Sequence, residues 1–506
     1  MALPPRWYQF LVSMFAAFGS LLYGYDLGVV AEVIAAPEFL KRFNPNDNDT
    51  GLVVSMFTTG AFCGAFFAGP TGDRFGRRIA IVAGSLVFIL GGGVQTGAKS
   101  IHYLWGGRFV AGLGVGMLVM IVPLYQAELA HPKIRGRVTS LQQFMLGIGS
   151  LIAGWIGYAA YTRIGNDNSA QWRLPLGIQL APAVILALLI MFFPESPRWL
   201  IDHDQQEKGL QVLAQLHAHG DTQDTFVQEE YHRIEASIAY EHEHEASSYV
   251  ELFQSLPSFR RLFLACALQA AMQMTGVSAI QYYSVTIYGQ MGITGADTLK
   301  YQGFNSIIAL AGQALCMLMI DHTGRRWVLI GGNIANCVMF IIATILLAKF
   351  PPGSTNNHAA SWGFIAVTWI YNFSYSAFNG PLSWIIPAEI FDTRTRSKGV
   401  SIATMMSFAF NTMIGQVTPY GMRNAGYNFY ILFIVCNFTN ALFFWAFIPE
   451  TANVPLEDMS YLFEHAPWFI PPLNMKDYRR PRDVESKIDD MKAEESIAHD
   501  EVVDSK

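Results

Sequence analysis

Charge is scarce in this 506-residue chain: Asp, Glu, Lys and Arg make up 14% of it, and 33 basic against 39 acidic side chains leave a formal net charge of −6. With no basic surplus to meet a polyanion, nucleic acid is not expected as a partner. Cysteine is sparse too. Cys63, Cys266, Cys316, Cys337 and Cys436 all fall inside apolar runs, with no CxxC pair and no second ligand close by, which excludes a disulfide framework and a metal site. The runs hold no nucleophile with its base, no metal cluster and no phosphate loop, so the chain does not read as an enzyme and calls for no cofactor.

Apolar residues, by contrast, make up 52% of the chain, more than a soluble domain of this size usually carries. They gather into twelve runs that approach or exceed the roughly 20 helical residues needed to cross a bilayer. In the first half these lie near 8–31, 51–70, 79–97, 104–127, 138–161 and 174–193; in the second, near 261–289, 302–320, 327–349, 361–387, 397–418 and 428–448. The first run is long, contains Gly24-Tyr25-Asp26 and lacks a small-residue cleavage site, so it reads as a retained helix and not a secretory signal. The fold class predicted is an all-α membrane protein with the lipid bilayer as its main solvent.

Basic residues recur in one set of short loops: Arg74, Arg77 and Arg78; Lys133, Arg135 and Arg137; Arg325 and Arg326; Arg394, Arg396 and Lys398. Cytoplasmic loops hold the excess of Lys and Arg, so both termini are expected in the cytoplasm, beneath the plasma membrane. Lys41, Arg42 and Arg173 on the other side make the bias moderate. The sequon Asn48-Asp49-Thr50 falls in the first outer loop and marks Asn48 as a glycosylation candidate, whereas those at Asn372 and Asn437 lie within spans.

Three landmarks repeat in order about 250 residues apart. Asp73-Arg74-Phe75-Gly76-Arg77-Arg78 returns as Asp321-His322-Thr323-Gly324-Arg325-Arg326. Glu128, seven residues before Arg135, returns as Glu389 before Arg396, and Pro194-Glu195-Ser196 returns as Pro449-Glu450-Thr451. Two parallel six-span repeats are the plan of a transporter whose halves rock around a midplane site. The predicted division is an N-terminal six-helix bundle (1–194), a cytoplasmic helical linker (195–258), a C-terminal six-helix bundle (259–449) and a cytoplasmic tail (450–506), largely disordered after 475. Within the linker, 211–217 and 229–240 read as surface helices, and Glu241-His242-Glu243-His244-Glu245 as a solvated charge run, because His residues two apart face different sides of a helix.

These motifs resemble those of the sugar porter family of the major facilitator superfamily, and fungal-type hexose transporters above all. The likeness runs from about Tyr8 to Met459: Gly69-x-x-x-Asp73-Arg74-x-Gly76-Arg77-Arg78; Arg108 with Gly112, Gly114 and Gly116; Pro123-x-Tyr125-x-x-Glu128; Pro194-Glu195-Ser196-Pro197-Arg198; Gly380-Pro381-x-x-Trp384-x-x-x-x-Glu389; and Pro449-Glu450-Thr451. The resemblance implies the major facilitator fold of two pseudo-symmetric bundles. Acids and bases at facing helix ends can pair in one conformation and part in the other. Arg74, Glu128, Arg135, Glu195, Arg326, Glu389, Arg396 and Glu450 are therefore candidates for a conformational latch. The glycines of the fourth span read as packing positions.

A sugar needs amides and hydroxyls to replace water, and aromatic faces against its ring. In the seventh span, Gln273, Ser278 and Gln281 lie around Gly276, on a helix expected to break there. By resemblance, Gln273 corresponds to a sugar-binding glutamine, while Met272 and Ser278 stand where the family commonly has a second glutamine and an asparagine. Gln269 or Gln281 could compensate. Gln143, Trp384 and Asn411 match sugar-contacting positions. Asn305 looks like a binding asparagine, although the usual spacing to Gly324-Arg325-Arg326 gives that role to Ala309. Asp26 in the first span and Arg108 in the fourth need partners in the membrane, and a buried Asp facing an Arg is a candidate proton switch. The chain thus reads as an alternating-access monosaccharide carrier, for a hexose such as glucose or for xylose, coupled to protons through Asp26 and Arg108. A passive facilitator and a sugar-sensing receptor on the same fold stay open.

Overall fold

The computed structural model describes residues 5–129, 135–244, 250–293, 295–319, 323–350, 358–391, 395–451 and 459–470, with the side chains of 5–10, 135–140, 237, 240–244, 396–397 and 459–461 outside the described set. Among the described residues the chain is helical, without strands. Eleven helical runs are long and apolar enough to cross a bilayer. The twelfth expected span, near 361–387, is present in three pieces: α18 (His358–Ser374), a π-helical turn (Tyr375–Asn379) and α19 (Gly380–Ile390). Pro381 donates no N–H to the turn before it, and the wider π turn absorbs the mismatch.

The first half runs α1 (Pro5–Ala16) and α2 (Phe18–Val33), which form span 1, then a short α3 (Pro37–Phe43), α4 (Asp47–Phe75), α5 (Arg77–Thr96), α6 (Ile101–Leu129) and α7 (Arg135–Arg163), with α8 (Ala170–Ile178) and α9 (Leu180–Leu189) sharing span 6. Asn46 starts α4 with a capping box, accepting from the Asp49 N–H at 2.8 Å while its own N–H donates to the Asp49 carboxylate. The linker holds α10 (Pro197–Asp202), α11 (Gln206–His217), α12 (Thr225–His244) and α13 (Glu251–Gln254). Both stretches read as surface helices lie within α11 and α12.

The second half repeats the plan with α14 (Leu256–Gln273), α15 (Val277–Gly289), α16 (Ala296–Met319), α17 (Arg325–Lys349), the broken span 10, α20 (Arg396–Ala425) and α21 (Asn428–Phe447); α22 (Met459–His465) follows. Span 7 breaks at Gly276, whose φ of +96° is a left-handed conformation that costs a side-chain-bearing residue about 1–2 kcal/mol. Packing obeys the repeat. Spans 1 and 5 pair as do 7 and 11, and 3 and 6 as do 9 and 12, while 2 with 11 and 5 with 8 join the halves.

Small residues allow the tightest of these contacts. A Cβ on Gly112 would collide with the Phe57 carbonyl and one on Gly114 with the backbone of Phe88 and Gly84, so the two glycines seat α6 against α4 and α5 respectively. The hydrogen bonds Ser55 to Gln416 (2.8 Å), Thr58 with Thr412 (2.7 Å), Gln416 to Asn48 (3.0 Å) and Arg423 to Asp47 (2.9 Å) tie the halves from mid-span to the end far from the linker.

Candidate functional site

Between the halves lies a cavity lined by residues of both. All seven residues expected to meet substrate line it: Gln143 from α7, Gln273 just before the span 7 break, Ser278 and Gln281 just after it, Asn305 from α16, Trp384 from α19 and Asn411 from α20. The break at Gly276 turns two consecutive helix ends toward one space. It also presets the amide: Gln273 donates to Ser407 Oγ at 2.9 Å and accepts from Ser278 Oγ at 2.8 Å. Asn411 accepts from the Tyr282 hydroxyl at 3.0 Å, and Asn305 donates to Gln302 at 3.3 Å while its side-chain oxygen has no partner among the described residues. Ala309 lines the cavity as well, one turn from Asn305. Gln269 does not. Its amide donates to the Ser383 carbonyl, so of the two compensating glutamines only Gln281 faces the cavity.

Sequence reading missed Gln302, Gln313, Asn372, Tyr375 and Ser407, which also line the space. Gln302, Asn305, Ser306, Ala309 and Gln313 recur on α16 at intervals of one to four residues, a stripe of helical period that marks one polar face. No Asp, Glu, Lys, Arg or His is among the described residues lining the cavity.

Asp26 and Arg108 lie beside this cavity and are fully buried. Arg108 Nη1 donates to both Asp26 oxygens at 2.8 Å, its Nε donates to the Val53 carbonyl at 2.8 Å, and its guanidinium sits 4.5 Å from the Phe57 ring centroid. Tyr23, stacked on Phe57 with centroids 6.5 Å apart, stands between this pair and the cavity, which it lines.

At the linker end the charges pair within each half, in matching geometry. Arg77 grips Glu128 through Nε and Nη2 at 3.0 and 3.1 Å, while Glu195 accepts from the Arg77 and Arg78 N–H groups at the start of α5. In the second half Arg325 reaches Glu389 at 3.3 Å, and Glu450 accepts from the Arg325 and Arg326 N–H groups at the start of α17. Each of these acids satisfies orphan helix donors or a neighbouring guanidinium. Arg74, expected in the latch, is exposed and lies over Phe75, and Arg326 donates its side chain to the Trp445 carbonyl; Arg77 and Arg325 hold the positions foreseen for them. The side chains of Arg135 and Arg396 lie outside the described residues. Asn48, the glycan candidate, sits in the first turn of α4 with its carbonyl oxygen held by Gln416.

The sequence pattern of the family described as "Sugar (and other) transporter" matches residues 12–463. The chain belongs to that family, in the major facilitator superfamily. This transporter is 32% identical to the MFS-type transporter criB of Aspergillus cristatus over 89% of its own length and 92% of the relative's. It is 33% identical to a quinate permease of Neurospora terricola (91% and 90% covered) and 30% identical to the probable glucose transporter rco-3 of Neurospora crassa (90% and 79% covered). Its fold matches the partially occluded inward-open xylose transporter XylE from E. coli with a TM-score of 0.74 at 22% identity, over 88% of this chain and 99% of that one.

Proposed function

We propose that this sugar transporter carries a neutral monosaccharide of the hexose or pentose class by alternating access, coupled to protons through Asp26 and Arg108. The observation that carries the substrate class is the cavity lining, which joins amides, hydroxyls and aromatic faces with no ionic side chain among the described residues. An uncharged polyol exchanges its water for such groups at little cost, whereas a carboxylate such as quinate would enter without a cation to meet it. Asp26 stays charged in the bilayer only while Arg108 neutralises it, so relative movement of spans 1 and 4 exposes the carboxylate to protonation. XylE, 23% identical to this chain in its complex with 6-bromo-6-deoxy-D-glucose, is a proton:xylose symporter, which supports the same coupling. The linker and both termini are assigned to the cytoplasm, with the outer end facing outside the plasma membrane.

Uptake of labelled glucose into proteoliposomes, competed by glucose, xylose, galactose and quinate at pH 5.5 and 7.5, tests the substrate class. Neutral sugars are expected to compete and quinate to have no effect. Accumulation above the outside level, abolished by an uncoupler and by Asp26→Asn, tests the coupling. Uphill uptake that survives both would exclude it, and equilibration without accumulation in the parent protein would mark a passive facilitator. Binding with no translocation of any sugar would favour a receptor.

A further inference from the structure

A second acid, Glu32, lies in the same helix as Asp26 and is 5% exposed. Neither of its carboxyl oxygens has a hydrogen-bond partner among the described residues. Its place is made by glycine on the facing helix. A Cβ on Gly157 would overlap Glu32 Oε2, and one on Gly154 would stand 3.4 Å from Oε1. That same Gly154 position is 3.7 Å from Gly303 Cα and 3.8 Å from Ser306 Oγ on α16 in the other half. Glu32 thus sits where span 1 meets the contact between spans 5 and 8, toward the far end from the cavity that Ser306 lines.

We infer that Glu32 is a second proton-carrying group of the transport step, protonated while the seam between spans 5 and 8 is closed at the far end and ionised when that end opens to water. A carboxylate with both oxygens unsatisfied inside a membrane protein is too costly to persist, while the neutral acid is tolerated. Opening the seam admits the water that an ionised carboxylate needs, so loss of the proton and opening favour one another. The inference rests on the alternating-access reading given above, and it assigns to Glu32 a role separate from that of Asp26.

The other ionisable groups nearby are engaged elsewhere or belong to the rim. On its own helix Asp26 is held by Arg108 of α6, and the Tyr25 hydroxyl donates to the Pro175 carbonyl at 2.8 Å. The Tyr23 ring packs on Phe57. From α8, Arg173 donates to the Ala98 carbonyl, and from α15 Tyr282 and Tyr283 donate to Asn411 and the Gly415 carbonyl. Tyr288 of α15 shares a hydrogen bond with Thr368. On α7, Tyr158 packs against Trp155, Tyr161 follows one turn after Gly157, and Arg163 ends the helix. On α16, Lys300 and Tyr301 stand at the far end; α9 has no ionisable side chain, and α1 has none among its described side chains, those of Arg6 and Tyr8 lying outside them.

The test measures the far end directly, without sugar. Spin labels at Asn44→Cys and Asn424→Cys, both exposed and one in each half, report the distance across that end in a background with the five native cysteines replaced by alanine. In nanodiscs the parent is expected to shift toward the longer distance between pH 5.5 and 8.5. Glu32→Gln, a permanently neutral isostere, should hold the short distance at both values, and Glu32→Asp should restore the shift. An equal shift in the parent and Glu32→Gln, no shift in the parent, or closure driven by sodium at constant pH would each overturn the assignment. Because no sugar is present, a failed uptake panel would remove the substrate reading and leave this result standing.

Discussion

Gln273 shows how one residue acquires a role from its neighbours. The amide faces the cavity, Ser278 donates to its oxygen and Ser407 accepts from its nitrogen, so its orientation is set before substrate arrives. One net hydrogen bond contributes about 1 kcal/mol, and about 1.4 kcal/mol is tenfold in binding. Gln273→Ala is therefore expected to raise the KM for sugar by about fivefold. Ser278→Ala, which removes only the group that orients it, should raise KM about threefold with turnover unchanged. Initial uptake rates over a concentration series measure both. A larger loss in Ser278→Ala would place the serine, and not the amide, against the sugar. Ser278 stands where the resemblance calls for an asparagine, and its hydroxyl serves Gln273 instead.

Among the elements, the starts of α5 and α17 are tied in the same way. Each has two N–H groups bound by an acid just past the last span of its half, Glu195 or Glu450, and one arginine paired with an acid at the end of the next or next-but-one α-helix, Glu128 or Glu389. Arg77 and Glu128 are nearly excluded from water, at 10% and 6% exposure of their side chains. Breaking a buried pair by removing one partner costs about 3–5 kcal/mol, and an amide in place of the carboxylate keeps part of the hydrogen bonding, so Glu128→Gln is expected to cost about 2 kcal/mol. Its thermal midpoint in detergent should fall by several degrees, and more than that of Glu389→Gln, whose pair is longer and more exposed. If the double variant Glu128→Gln with Glu389→Gln also leaves the transport rate and the balance between inward- and outward-open states unchanged, the pairs brace each half internally without serving as a latch.

Across the molecule, the hydrogen bonds that bridge the halves among the described residues gather from mid-span to the end far from the linker, as in a state closed there. Gln416 is the hub of that closure, accepting from Ser55 and donating to Asn48 in the other half. Gln416→Ala removes both bonds, worth about 1 kcal/mol each, and is expected to shift the population by up to about thirtyfold toward opening at the far end. Labelling of Asn411→Cys by an impermeant thiol reagent added from that side should accelerate accordingly. An unchanged labelling rate would show that closure rests on helix packing and not on these polar bridges. A glycan on Asn48 would displace the same contact, so glycosylated and unglycosylated protein should differ in this assay too.

Membrane spans, their number, the duplication and seven of the residues that line the cavity were legible in the chain because lipid imposes long apolar runs and makes a mid-span polar group conspicuous. Gly276 announced the break in span 7, and Asp26 with Arg108 announced their pairing, since neither charge is tolerable alone in a bilayer. Partner choice was not legible. That Arg77, and not Arg74, grips Glu128, that Gln269 turns away from the cavity, and that span 10 divides at a π turn depend on helix rotation and crossing, which summed side-chain packing sets and no local pattern encodes. Glu32 stood in plain view as a second acid beside Asp26, yet only the tertiary structure showed that neither of its oxygens has a partner among the described residues and that it lies beside the contact of spans 5 and 8.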